Sequence, residues 1–226
     1  DKRIPEGSLV KIDIGVHIDG YIADTAATVC FNPIYEMMVR AAEMALEEAI
    51  KIIRPGLPIS HFGSDVEKVI RRHGFKPISN LTGHQIGRYM IHAGKSLPNV
   101  SHISMSEIHL GEVYAIEPFV TLNEAAGRVD SSSETYIFRF VKQKSLKRTE
   151  SKRLLKFIET NFKTLPFAER WLCESFPKTD YKPAFMELLS SRCLMAYPVF
   201  VEASGRFVAQ AEHTVYVEKE GGIALT

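Results

Sequence analysis

Cysteine is scarce in this chain. Cys30, Cys173 and Cys193 are an odd number in unrelated contexts, without CxxC or zinc-finger spacing, which excludes a disulfide framework and a structural cysteine–zinc site. Free thiols in a reducing compartment are the expectation. An excess of one charge is also missing. The formal net charge is +1, so no bulk attraction to nucleic acid or a membrane surface is expected. No apolar run approaches the roughly 18 residues of a membrane-spanning helix, and no signal-peptide pattern opens the sequence. A cytoplasmic protein without membrane contact is the expectation. At 226 residues, 45% hydrophobic and 24% charged, the chain can bury a full core, as one domain plus an elaboration.

What the chain does have is a hairpin with acidic residues on one side. Residues 9–18 and 21–29 are strand-like runs joined by Asp19-Gly20, the strongest two-residue hairpin signal. With that turn, Ile18 pairs with Tyr21, Ile14 with Thr25 and Gly15 with Asp24, so Asp13, Gly15 and Asp24 project on one side. Val10, Ile12, Ile14, Val16 and Ile18 occupy the other. Two carboxylates at a diagonal position lie roughly 7–8 Å apart at the backbone, and their side chains can converge on ions about 3.5–4 Å apart. A strand aspartate is ordinarily just solvated, so the hairpin alone does not decide the matter.

Three other segments add to it. In Gly111-Glu-Val-Tyr-Ala-Ile-Glu117-Pro-Phe-Val a carboxylate ends an apolar run, where an unpaired charge is costly and needs compensation. Alternation over Phe207–Val217 puts Gln210, Glu212 and Thr214 on one strand face. His84 follows Asn80-Leu-Thr-Gly, a turn-like lead expected to hold the imidazole at the end of an element. Four carboxylates and one imidazole make an oxygen-rich site without thiolate, suited to divalent Mn, Fe, Co or Zn.

The set resembles the metal centre of the methionine aminopeptidases, and more closely their type II branch. The resemblance is carried by Lys11-Ile-Asp13-Ile-Gly-Val-His-Ile-Asp-Gly with Ala23-Asp24-Thr, by Asn80-Leu-Thr-Gly-His84, by Tyr114-Ala-Ile-Glu117-Pro-Phe and by Gln210-Ala-Glu212-His-Thr. His92-Ala-Gly-Lys, Leu165-Pro-Phe-Ala-Glu-Arg-Trp-Leu and the long stretch between the two glutamates indicate the branch. It implies two divalent ions held by Asp13, Asp24, His84, Glu117 and Glu212, and an acidified bridging water as nucleophile. It further implies that Glu117 accepts that water's proton and that His92 hydrogen-bonds the scissile amide. Ile91 and Tyr197 would line the pocket for the methionine side chain, and either is equally compatible with core packing. The implied reaction removes initiator methionine from a nascent polypeptide when the second residue is small.

Around these motifs the pattern is α+β. Tyr35–Arg54 is a helix stopped by Pro55-Gly56, with Met38, Ala42, Ala45, Ala49 and Ile52 inward. A second helix is expected from a cap at Ser60 to about Gly74, burying Phe62, Val66, Val69 and Ile70. Strands are expected over Val113–Val120 and Tyr136–Val141. The resemblance implies the pita-bread fold, an antiparallel sheet covered by helix pairs, with residues 1–142 and 194–226 as the catalytic domain. Residues 143–193 read as a small helical insertion, with amphipathic helices at Ser151–Phe162, Pro166–Phe176 and Pro183–Leu194. Within 142–163 there are eight Lys or Arg, a solvated helix face or a weak contact with ribosomal RNA.

Competing readings are an Xaa-Pro peptidase of the same fold, a non-catalytic RNA- or protein-binding relative, and a creatinase-like hydrolase. The chain opens on Asp1-Lys-Arg-Ile-Pro-Glu-Gly-Ser without an initiator Met. The resemblance implies a preceding segment bearing a histidine over the metals, a role His17 beside the turn fills poorly. The expectation is a protein that is a monomer when complete, with exposed apolar surface and low activity without that segment.

Overall fold

The computed structural model describes residues 3–176 and 178–226. The chain divides into two compact units, one of residues 1–130 with 202–226 and one of 131–201.

The first unit begins with the hairpin, β1 (Leu9–Ile18) and β2 (Tyr21–Cys30). Ile18 pairs with Tyr21, Gly15 with Asp24 and Asp13 with Ala26, the register set by the turn. Asp19 and Gly20 have φ of +50° and +87°, as a type I′ turn requires. A short 3-10 turn, Pro33–Tyr35, starts at Asn32, whose side chain accepts from the Ile34 N–H. It leads into α1 (Glu36–Ile52), followed by α2 (Ile59–Arg72). Helix α2 starts just after Pro58, so Ser60 lies in the first turn and caps nothing. Proline at this boundary pre-sets φ and ends the preceding extended stretch.

Strands β3 (Phe75–Pro77), β4 (Thr82–Ile86), β5 (Ser96–Pro98), β6 (Val113–Ile116) and β7 (Phe119–Leu122) follow. The expected strand over 113–120 is in fact two. Pro118 has no N–H to give a ladder, and the chain leaves one sheet at Glu117 and enters another at Phe119. The second unit contributes β8 (Val129–Phe140), α3 (Thr149–Phe162), β9 (Pro166–Ala168), α4 (Lys178–Ser190) and β10 (Leu194–Glu202). The chain returns to the first unit with β11 (Val208–Gln210), β12 (His213–Val217) and β13 (Gly222–Ala224). The first unit thus holds the hairpin, a three-stranded sheet β11-β7-β3 and a five-stranded sheet β13-β12-β6-β4-β5.

Its core lies between the helix pair and these sheets. Met38, Ala42, Ala45 and Ala49 of α1 and Phe62, Val66 and Ile70 of α2 are buried with Tyr114, Ile116, Val120 and Val215. Small residues along α1 let its backbone approach the strands closely. Glycine at 83 serves a similar purpose, since a Cβ there would meet the Ala115 carbonyl oxygen at 2.5 Å. The outer side of β1 is left uncovered, with Ile12, Ile14, Val16 and Ile18 all exposed.

The second unit has its own core of Phe138, Leu154, Ile158, Phe167, Leu172, Tyr181, Phe185 and Leu188. It is wider than residues 143–193 because β8 and β10 pair with each other and β8 also pairs with β9. Pro166–Phe176 is not a helix but β9 followed by a 3-10 segment, Glu169–Glu174. Pairing of Phe167 with Phe138 on β8 outweighs the apolar spacing that suggested a helix. The third insertion helix starts before Pro183, which lies inside α4, and ends at Ser190, because Leu194 belongs to β10. Pro177, just before α4, lies outside the described residues.

Candidate metal centre

The centre is assembled where the hairpin meets the strand return at residues 210–214. Threonines do the joining. The Thr28 hydroxyl donates to the Gln210 carbonyl at 2.7 Å and accepts from the Gln210 N–H at 2.8 Å. Thr25 donates to the Glu212 carbonyl at 2.9 Å. Thr214 accepts from the Asp24 N–H at 2.7 Å and donates to the Asp24 carbonyl at 2.8 Å. An antiparallel bridge between Ala26 and Glu212 completes the seam. β-Branched hydroxyl residues suit this edge because they keep strand geometry and still satisfy backbone groups where ladder pairing lapses.

Ligand atoms of Asp24, His84 and Glu212, all buried, lie within 4.8 Å of one another. His84 Nε2 is 3.8 Å from Asp24 Oδ2 and 3.5 Å from Glu117 Oε1. His84 is not at an element's end. It sits inside β4, paired with Ala115 of β6 and Ser96 of β5, because the Gly83 close approach lets β4 continue past the turn-like lead. Glu117 occupies the break between β6 and β7, and its carbonyl accepts from the buried Asn99 side chain at 3.1 Å.

Gln210 is the residue whose part the sequence reading left unassigned. Its Nε2 lies 3.2 Å from Asp13 Oδ2, 3.3 Å from Glu117 Oε2 and 3.4 Å from Glu212 Oε2. One amide thus draws three carboxylates together. The strand alternation placed Gln210 beside Glu212, but the other two partners come from segments about 90 and 200 residues away.

Electrostatics point the same way. Burial, then Glu212, Asp13 and Asp24, push the Glu117 carboxyl well above the usual carboxylate range, with Lys11 only partly offsetting. Burial, then Asp24 and Asp13, raise Glu212 to about 9. Burial, then Asp13, raise Asp24 to about 6. Burial, then His92, lower His84 to about 4. Neutral imidazole beside carboxylates that resist ionisation is the signature of negative charge lacking its counter-ion, and a divalent cation fits that donor set.

The raised carboxyls have a measurable consequence. In the folded, metal-free protein these groups hold protons that the unfolded chain releases near its ordinary carboxylate pKa, so folding stability falls as pH rises from about 4 through about 9. His84 opposes this only between about 4 and 6.5. From pH 6.5 to 9, the melting temperature of the metal-free protein is expected to drop by several degrees. Added divalent ion should restore it, and Glu212→Gln should flatten the slope. A calorimetric series that rises with pH would contradict the assignment.

His92 is exposed on the connection between β4 and β5, with its ring edge-on to His84 at 4.4 Å between centroids. Ile91 next to it is half-buried. Tyr197 lies on β10 of the second unit, half-buried, its hydroxyl pKa raised by burial, with Arg139 only partly offsetting. The first unit therefore gathers Asp13, Asp24, His84, Glu117, Glu212 and His92. It does not contain Tyr197.

Comparison with known proteins follows the same outline. The model of metallopeptidase family M24 matches residues 1–219. A methionine aminopeptidase of Methanothermobacter thermautotrophicus is 42% identical over 229 residues, covering 100% of this chain and 76% of that protein. Among solved structures, a thermophilic Arx1 superposes with a TM-score of 0.81 at 19% identity, covering 99% of this chain and 68% of its own. A prolidase from Pyrococcus furiosus does so at 0.55 and 16%, covering 100% of this chain and 43% of its own. These two likenesses concern the fold alone.

Proposed function

The chain belongs to metallopeptidase family M24, and from that premise we infer that it removes the initiator methionine from peptides by metal-dependent hydrolysis, as the methionine aminopeptidases it resembles along its whole length are named for doing. Its fold is the pita-bread fold of that family. We further propose that Asp13, Asp24, His84, Glu117 and Glu212 hold two divalent ions. The observation that carries this is the convergence of Asp24, His84 and Glu212 donor atoms within 4.8 Å, with Asp13 and Glu117 tied to Glu212 through Gln210.

Bound divalent ions would acidify a water near neutral pH and polarise the scissile carbonyl. The chain's own groups supply the rest. Glu117, 3.5 Å from His84 Nε2 and ionised once divalent ions offset its acidic neighbours, accepts the proton that the attacking water gives up. His92, beside His84 and open to solvent, donates a hydrogen bond to the carbonyl oxygen as charge develops on it. Ile91, half-buried on the same connection, offers apolar contact for the methionine side chain. We propose the cytoplasm as the compartment. Among the described residues no helix is long and apolar enough to cross a membrane. The eight Lys and Arg of 142–163 are all exposed, an arrangement that a ribosome-facing surface and a solvated face share.

Paired peptides test this reading. The metal-loaded protein is expected to cleave Met-Ala-Ser and leave an Xaa-Pro peptide intact, to lose activity on chelation and to regain it with Mn, Co, Fe or Zn. Preference for Xaa-Pro would move the chain to the prolidase branch of the fold.

A further inference from the structure

The connection between β4 and β5, residues 87–95, carries Ile91 and His92, and it is fastened at two ends. At its root, the Gln85 N–H donates to the Lys95 carbonyl at 2.9 Å and the Ala93 N–H to the Gln85 carbonyl at 2.7 Å. Lys95 Nζ donates to Glu112 Oε1 at 2.6 Å, and Glu112 also accepts from the Tyr114 hydroxyl at 2.6 Å and the His109 N–H at 2.8 Å. The outer end is fastened to a different part of the unit, the tip of the ligand-bearing hairpin. The Tyr89 N–H donates to the Gly20 carbonyl at 2.8 Å, and Arg88 Nε donates to the Asp19 carbonyl at 2.9 Å. The Arg88 guanidinium stands 5.2 Å from the Tyr21 ring centroid, and the His17 ring meets Tyr89 edge-on at 5.9 Å.

Two features mark this fastening as more than surface contact. Tyr89 has a φ of +58°, a left-handed conformation that a bulky aromatic residue rarely adopts and that surrounding contacts must hold in place. Its ring also covers Gly20 so closely that a Cβ there would overlap it. Gly20 is buried, though it is the tip of a turn. The turn glycine therefore serves both the φ of the hairpin and the seat of the ring.

We propose that Tyr89, with Arg88, is a positioning residue. It locks the tip of the hairpin bearing Asp13 and Asp24 to the connection bearing Ile91 and His92, and so fixes His92 relative to the metal ligands. The connection is anchored to β4 at its root, and its outer half is a tight turn, closed by reciprocal Gly87–Met90 backbone bonds, that meets the hairpin through Arg88 and Tyr89. Without the ring, the outer half loses the contact that holds the strained turn. His92 is then displaced, while Asp24 and Glu212 stay stitched by the threonine seam and Asp13 by its pairing with Ala26 in the hairpin.

The inference rests on the reading of His92 as a substrate-facing group, and the test separates the two. Tyr89→Gly removes the ring and relaxes the positive φ, so the variant should fold and bind Mn with unchanged affinity by titration calorimetry. Its kcat on Met-Ala-Ser should fall by about tenfold or more with KM little changed, and the His92 ring-proton NMR signals should shift. Tyr89→Phe keeps the ring and should stay within about twofold of the native kcat. A Tyr89→Gly protein with native kcat and unmoved His92 signals overturns the proposal. Joint loss of Mn affinity and kcat overturns it as well, since the ring would then support the whole centre. If the native protein does not cleave Met-Ala-Ser, the functional reading fails, and the His92 signals alone decide the positioning role.

Discussion

Asp24→Ala is expected to yield a protein that folds at least as stably as the native metal-free form, yet binds divalent ions far more weakly and cleaves no Met-Ala peptide. The backbone of Asp24 is what ties the hairpin to β12, through both of its bonds to Thr214, and alanine keeps that backbone. Its carboxylate raises the pKa of Glu117 and Glu212, so removing it relieves repulsion among buried acids in the metal-free state. The same change deletes one of three converging donors. Metal affinity should fall by about 100-fold or more, the upper range for loss of even a supporting group around a metal. Equilibrium dialysis and a peptide assay on one preparation decide the matter. Native metal stoichiometry in Asp24→Ala would remove Asp24 from the ligand set.

The second large effect is on turnover rather than binding. Glu117→Gln keeps the shape of the side chain, and one terminal atom can still face His84 Nε2, 3.5 Å away in the native protein. It cannot take up a proton. If Glu117 accepts the proton of the attacking water, kcat should fall by about 10²–10⁴-fold, while metal affinity falls much less. Comparing kcat at saturating Mn with the Mn titration separates the two roles. A metal-loaded Glu117→Gln protein with near-native kcat would exclude the proton-acceptor role. Parallel loss of both quantities would make Glu117 a ligand alone.

Local chemistry explains which of these features were legible in the sequence. The hairpin register follows from Asp19-Gly20, two residues that accept positive φ and so leave one way to pair ten residues on each side. Glu117 could be singled out because a carboxylate at the end of an apolar run needs compensation. That Pro118 divides two sheets there was not legible, because the partners of each half, β4 with β12 and β3 with β11, are set by distant segments. Gln210 shows the same limit. An amide beside a glutamate is unremarkable until Asp13 and Glu117 arrive at its other sides. His84 reads as lying at an element's end because Asn80-Leu-Thr-Gly is turn-like, whereas the missing Cβ of Gly83 serves close strand approach. In the second unit, Phe167 lies on an apolar spacing that serves a helix or a strand, and pairing with β8 chose the strand.

The threonine seam also sets the order in which the molecule can come together. The bonds between Asp24 and Thr214 span 190 residues of chain, and those between Thr28 and Gln210 span 182. Contacts of such separation must overcome the entropy of closing a long loop before they return any stabilisation, and they form late. During synthesis the hairpin leaves the ribosome long before the strand that completes its acidic cluster, and Glu117 and Glu212 emerge on either side of residues 131–201, which have a core of their own. Four of the proposed ligands and His92 are thus made before residues 131–201, and Glu212 only after them. Glu212 and Gln210 join the acidic cluster only when residues 210–214 dock, so the proposed centre closes last.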